Sequence, residues 1–222
     1  MPYLREFCAE NMELVPAAVA AGVERIELCD NLSVGGTTPS YGVIRAAVAY
    51  ARPRGVAVMT MVRPRGGDFA YTDAELGIMY DDLAMACELD SSGVVFGCVR
   101  DGDLDRAATT RLLDAARVAG ERRGERVRVT FHMAFDEIEA ARQGEAIDWL
   151  AEHGVDRVLT HGGPAGTGIE DNLAHLRSLV EEACGRLTIL PGGGITWRNG
   201  ERVAAELGVR ELHGTRIVRL GA

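Results

Sequence analysis

Side chains able to carry out chemistry stand at the ends of short β-branched runs along nearly the whole chain. In LREFC, alternation puts Glu6 and Cys8 on one face with Phe7 opposite, and in RIELC it puts Glu27 and Cys29 on one face opposite Ile26 and Leu28. Two thiolates ending neighbouring strands suit a soft monovalent ion such as Cu(I), which accepts two-coordinate geometry. Two small buried hydrophobes would leave the same pattern. His132 closes the run RVTFH, with Thr130 behind it, and with Glu27 it forms an acid/base pair. The loop VRPRGGDFAYTD presents Arg63 and Arg65 as an anion fork, with Asp68 orienting one of them; an Arg–Asp pair that only staples the loop is the plainer reading. Thr160 ends RVLT and His213 ends RELH. In LPGGGIT, Gly193 and Gly194 let backbone N–H groups approach a ligand, unless the glycines serve only a sharp turn. The expected catalytic set is thus Glu27, His132 and Asp68. The expected substrate-binding set is Arg63, Arg65, Thr160, Gly193, Gly194 and His213, and the expected metal set is Cys8 and Cys29.

Bringing these residues together is a task for the fold. Eight runs read as strands: Leu4–Cys8, Arg25–Cys29, Val56–Val62, Gly93–Cys98, Val127–Met133, Asp156–Thr160, Leu187–Leu190 and Arg210–His213. Alanine-rich amphipathic stretches separate them. Several of these end in a glycine that feeds the next strand, as in GVERIEL, GVDRVLT and GVREL, a repeated unit with the glycine suited to a left-handed helix end. Alternating β and α units predict a parallel sheet with helices outside. Eight strands in 222 residues favour one α/β domain over residues 1–222, a (β/α)8 TIM barrel with chemistry at the C-terminal strand ends. An open doubly wound sheet would carry a glycine-rich turn after its first strand, and EFCAENMEL has none. Few residues follow His213, so the barrel is expected to lack a full eighth helix. A second copy, most simply in a homodimer, is expected to cover that flank.

Composition removes whole classes of function. The net charge is −9, and all 24 basic residues are arginine. Without lysine there is neither Schiff-base catalysis nor a P-loop, and without a basic face nucleic acid is an unexpected partner. No apolar run approaches a membrane span, and the start MPYLREFCAENMELV has no signal-peptide pattern. Five widely spaced cysteines with no CxxC argue against a disulfide framework or zinc ribbon. A cytoplasmic protein with reduced thiols is expected.

The segments ELCDNLSVGGTTPSYGVI, VRPRGGDFAYTD, VTFHMAFD, RVLTHGG, LPGGGIT and ELH, in that order, resemble the CutC family of copper homeostasis proteins. The resemblance runs from Leu4 to about His213. It implies a (β/α)8 barrel, oligomeric and cytosolic, linked to copper tolerance or Cu(I) binding, with the copper cysteines at Cys8 and Cys29. Three departures stand out. Met133 occupies the place of an arginine in FHRAFD, His161 replaces the serine of VLTSG, and the sequence stops at Ala222, where the family has a longer tail with a final helix. Two functions are therefore expected to compete. One is copper homeostasis through Cu(I) on the two thiolates. The other is a TIM-barrel enzyme, an acid/base or metal-assisted isomerase, lyase or hydrolase acting on a small anionic substrate.

Overall fold

The computed structural model describes residues 2–164 and 166–221. In chain order its strands are β1 (Leu4–Glu10), β2 (Arg25–Cys29), β3 (Ala57–Met61), β4 (Gly93–Phe96), β5 (Val99–Arg100), β6 (Asp103–Leu104), β7 (Arg128–Phe131), β8 (Arg157–Thr160), β9 (Thr188–Pro191) and β10 (Glu211–Gly214). The helices are α1 (Val15–Ala20), α2 (Tyr41–Ala51), α3 (Asp73–Glu88), α4 (Arg106–Arg123), α5 (Ala140–Glu152), α6 (Leu173–Ala183) and α7 (Gly200–Leu207). Eight strands pair in parallel in the order β10-β1-β2-β3-β4-β7-β8-β9. The two edge strands, β9 and β10, lie side by side and bring the sheet round into a nearly closed (β/α)8 barrel. A single parallel bridge, Thr196 to Arg216, joins the segments beyond them.

Local chemistry sets the element ends. Thr72 caps α3 in a reciprocal capping box with Glu75, which satisfies two orphan donors of the first turn. Asp105 accepts from Ala108 N–H at the start of α4. Gly208, at φ 68°, ends α7 in the left-handed conformation that glycine adopts without strain and hands the chain to β10. The fourth strand stops at Phe96, two residues short of expectation, because Val99–Leu104 turns back on itself as the β5–β6 hairpin before α4.

Alternation then divides the strands into two faces. Phe7, Ile26, Leu28, Val58, Val94, Phe96, Val129, Phe131, Val158, Ile189 and Leu212 point outward and are buried beneath the helices. At roughly 1.5–3 kcal/mol for each fully buried large side chain, this layer supplies most of the drive to close the barrel. Inside lies a small apolar cluster of Cys8, Cys29, Met59, Met61 and Val95, surrounded by charged side chains. Among the described residues no helix follows β10. Ile217 and Val218 are buried there instead, while Trp197 nearby remains 44% exposed.

Candidate functional site

The inward-facing charges form one connected chain across the barrel interior. Arg157 Nε donates to Glu211 Oε2 at 2.8 Å, and Arg25 reaches the same oxygen at 2.6 Å. Arg25 Nε also binds Glu6, whose other oxygen pairs with His213 Nδ1 at 2.8 Å. The register explains the meeting, because Arg25 and His213 flank Glu6 on the neighbouring strands. Burial alone would raise the Glu6 carboxyl, but the Arg25 charge and the bond from His213 outweigh it and hold the group at about 2.

One rung higher, Cys8 lies opposite Glu27, and Cys29 stands one pleat beyond Glu27 on the same face. Glu27 Oε2 is 3.3 Å from Cys8 Sγ, 3.6 Å from Cys29 Sγ and 3.6 Å from His213 Nε2. One ligand atom from each of Cys8, Glu27 and Cys29 falls within 4.8 Å of the other two, and Glu6, Glu27 and His213 form a second such trio. The hydrogen bond from Cys29 pulls the Cys8 thiol well below its ordinary value against the effect of burial, and His213 helps. That same bond, followed by burial, pushes the Cys29 thiol up. Burial drives the Glu27 carboxyl well up. His213 is raised despite its burial, by Glu27 first and then by its bonds to Cys8 and Glu6. The shared contacts thus push Glu27 and Cys29 toward the protonated form and Cys8 and His213 toward the charged one. Cys87 and Cys98, pushed by burial to about 11 and about 12, remain thiols away from this group.

Above these groups opens a cavity of about 140 Å³ at the C-terminal end of the strands. Cys8, Glu27 and His213 line one side, Arg63 and His132 line another, and Leu32, Met61, Phe69, Met133 and Leu159 complete the wall. Arg63 is 3% exposed and its Nη groups bond backbone carbonyls, Val34 and Gly36 through Nη1 and Gly67 through Nη2, each at 2.9 Å, with the Tyr71 hydroxyl near the same guanidinium. Gly35 and Gly36, both at φ 88°, bring the loop after β2 against Arg63 and the Cys29 sulfur, where a Cβ would sit 3.1 Å and 3.2 Å from those side chains. Phe69 packs against both the guanidinium (4.7 Å) and the His132 ring (5.1 Å). Ala134 N–H donates to His132 Nδ1, so in the neutral ring the proton is on Nε2. Burial, reinforced by the Arg63 charge, lowers this imidazole to about 3 and fixes it as a neutral hydrogen-bond donor. Room for the ring comes from Gly97, where a Cβ would lie 2.6 Å from Nδ1.

The structure therefore gathers Cys8, Glu27, Arg63, His132 and His213 around one space, with Cys29 fully buried against Glu27 outside its lining. Arg65 and Asp68 stand outside it, paired with each other at 3.0 Å, and Arg65 also holds Glu75 at 2.5 Å. Thr160 has the opposite parity to Leu159, which lines the cavity, and its hydroxyl donates to Asp136 instead. Gly193 and Gly194 line a neighbouring cavity of about 820 Å³ with His161 and Asp136, and Phe69 and Met133 border both spaces. Sequence reasoning passed over Arg25, Arg157 and Asp136. The first two occupy the same place in the repeated GVxR unit, which was the available signal. Asp136 follows the quoted FHMAF and anchors the turn after β8 through His161 N–H and Gly162 N–H.

A protein-family model described as the CutC family matches residues 3–218. A CutC family protein of Enterococcus faecalis is 53% identical over 97% of this chain and 100% of its own length. The human copper homeostasis protein cutC homolog is 37% identical over 95% of this chain and 72% of its own. A crystal structure of the CutC protein from Streptococcus agalactiae superposes with a TM-score of 0.91 at 44% identity, covering 97% of this chain and 100% of that one.

Proposed function

The chain belongs to the CutC family, and we propose that within copper homeostasis it holds Cu(I) between Cys8 and Cys29 at the barrel mouth. The observation that carries this reading is the approach of two buried sulfurs and the Glu27 carboxyl to within 4.8 Å of one another. At about 2.3 Å per metal–thiolate bond, a single ion reaches two sulfurs separated by up to about 4.6 Å. A disulfide is disfavoured by the register. Cys29 is one pleat beyond the residue opposite Cys8, so strand spacing and rise set the two Cα atoms roughly 8 Å apart, beyond the limit of about 7 Å. The donor chemistry also fits. Two thiolates select soft ions, His213 stands beside them with Nε2 3.6 Å from Glu27 Oε2, and loading would displace the proton of any thiol that carries one. Five cysteines, all with free thiols, support a cytoplasmic protein; among the described residues no helix is long and apolar enough to cross a membrane. The flank beside β10, where no helix follows among the described residues and Trp197 is exposed, supports a homodimer, which sedimentation would test; a monomer at micromolar concentration would refute it.

Titration with Cu(I) against a competing chromophoric chelator under reducing conditions tests the site. One equivalent should bind to the reduced protein. Binding should weaken in Cys8→Ser and in Cys29→Ser, and disappear in the double variant; unchanged affinity in the double variant would refute the thiolate site.

A second reading, an enzyme acting on a small anionic substrate through Glu27, His132, Arg63 and His213, draws support from a different observation. Glu27 Oε1 and His132 Nε2 are buried beside the cavity with no hydrogen-bond partner. Copper handling through two thiols leaves both unexplained.

A further inference from the structure

Three arginines are buried in this barrel, and one of them differs in kind. Arg25 and Arg157 each meet a carboxylate. Arg63, equally buried, meets none among the described residues and spends its Nη groups on three carbonyl oxygens. Taking a charge out of water without a counter-ion is costly, and proteins avoid it unless something supplies the missing charge. Arg63 Nε–H is also without an acceptor, as is His132 Nε2–H. Both residues line the same cavity, packed on either side of Phe69. On another wall Glu27 Oε1 lacks a partner too.

Two unpartnered N–H donors, one unneutralised positive charge and one unpartnered oxygen around a small apolar-walled space define a ligand. We propose that the barrel mouth binds a short 2-hydroxycarboxylate, its carboxylate accepting from Arg63 Nε–H and His132 Nε2–H and its hydroxyl bonding Glu27 Oε1. The unpartnered atoms restrict the class: two N–H donors call for a carboxylate, and Glu27 Oε1 for a hydroxyl beside it. One guanidinium matches a single carboxylate charge, whereas inorganic phosphate brings more charge and more acceptor oxygens than these donors serve. This rests on the second reading above, whose ligand class it names, and not on the copper reading, since none of the three unpartnered atoms belongs to a cysteine.

The test is calorimetric titration of the reduced, metal-free protein with glycolate, acetate and inorganic phosphate in turn. Glycolate should bind saturably, about tenfold tighter than acetate, which lacks the hydroxyl. It should bind at least about tenfold more weakly to His132→Phe, which keeps the ring and loses the N–H. No saturable glycolate binding up to about 100 mM, parity between glycolate and acetate or phosphate, or undiminished binding to folded His132→Phe would each overturn the proposal. Should that variant fail to fold, the three-ligand series on the wild type decides alone. Titrating His132→Phe with Cu(I) separates the two ideas: Cu(I) should bind this variant as it binds the wild type while glycolate binding is weakened.

Discussion

His132 should make this protein acid-labile in a way that one substitution removes. Its imidazole titrates near 6.5 in the unfolded chain but is held to about 3 in the fold, by burial first and the Arg63 charge second. As pH falls, the unfolded state takes up a proton that the folded state refuses. The stability tied to this group is therefore fully present above about pH 6.5 and is lost progressively as pH falls toward 3. Between pH 7.5 and 4.5 the loss amounts to about 2.5 kcal/mol, from about 1.4 kcal/mol per pH unit below the unfolded value. With a urea slope of roughly 3 kcal/mol/M, the midpoint should move down by about 0.8 M from this residue alone. His132→Asn has no such titration, and its side-chain oxygen can still accept from Ala134 N–H. The carboxylates contribute equally to both proteins, so the difference between their pH slopes isolates the imidazole. The variant should start less stable, having lost the ring that packs against Phe69, and should then fall more slowly. Parallel loss in the two proteins between pH 7.5 and 4.5, within about 0.5 kcal/mol, would refute the buried neutral histidine.

Other expectations follow from the same geometry. Glu6→Gln takes a carboxylate from between Arg25 and His213 and should cost about 3–5 kcal/mol by urea unfolding; adding Arg25→Met should recover part of that loss. Gly97→Ala puts a methyl 2.6 Å from His132 Nδ1 and 2.9 Å from the Ala134 Cβ. It should lower stability by about 1–3 kcal/mol and abolish glycolate binding in the calorimeter. Thr72→Ala removes the cap of α3 and should cost about 1 kcal/mol, a fall of about 2–4 °C in melting temperature with Cu(I) affinity unchanged.

The barrel was legible because its strands obey two simple patterns at once. Arg25–Cys29 agrees residue for residue with its expected bounds, and most others agree within one or two, since β-branched runs and helix-ending glycines are local signals. Parity alone placed Glu27, Cys8, Cys29 and His213 on the inner face. Parity did not show depth. Glu6 and Glu211 share that face but bond to Arg25 and Arg157 rather than facing the cavity, because the offset between strands is fixed by pairing across the sheet and leaves no mark in any one segment. Loops were less legible still. VRPRGGDF suggests a pair of equivalent arginines, yet the chain buries Arg63 on three carbonyls and turns Arg65 toward Asp68 and Glu75. That choice rests on the backbone of a distant loop, Val34–Gly36, which the sequence around Arg63 does not describe.

The rim of the barrel is fastened from within. Val34 and Gly36 belong to the crossing after β2 and Gly67 to the crossing after β3, and the single Arg63 guanidinium ties them together from below. The two crossings thus behave as one mechanical piece whose stiffness is set by a group facing the interior, and the outer surface has little leverage over it. A solute that enters and engages that guanidinium acts on the knot itself, so filling the chamber and tightening or slackening its doorway become a single event.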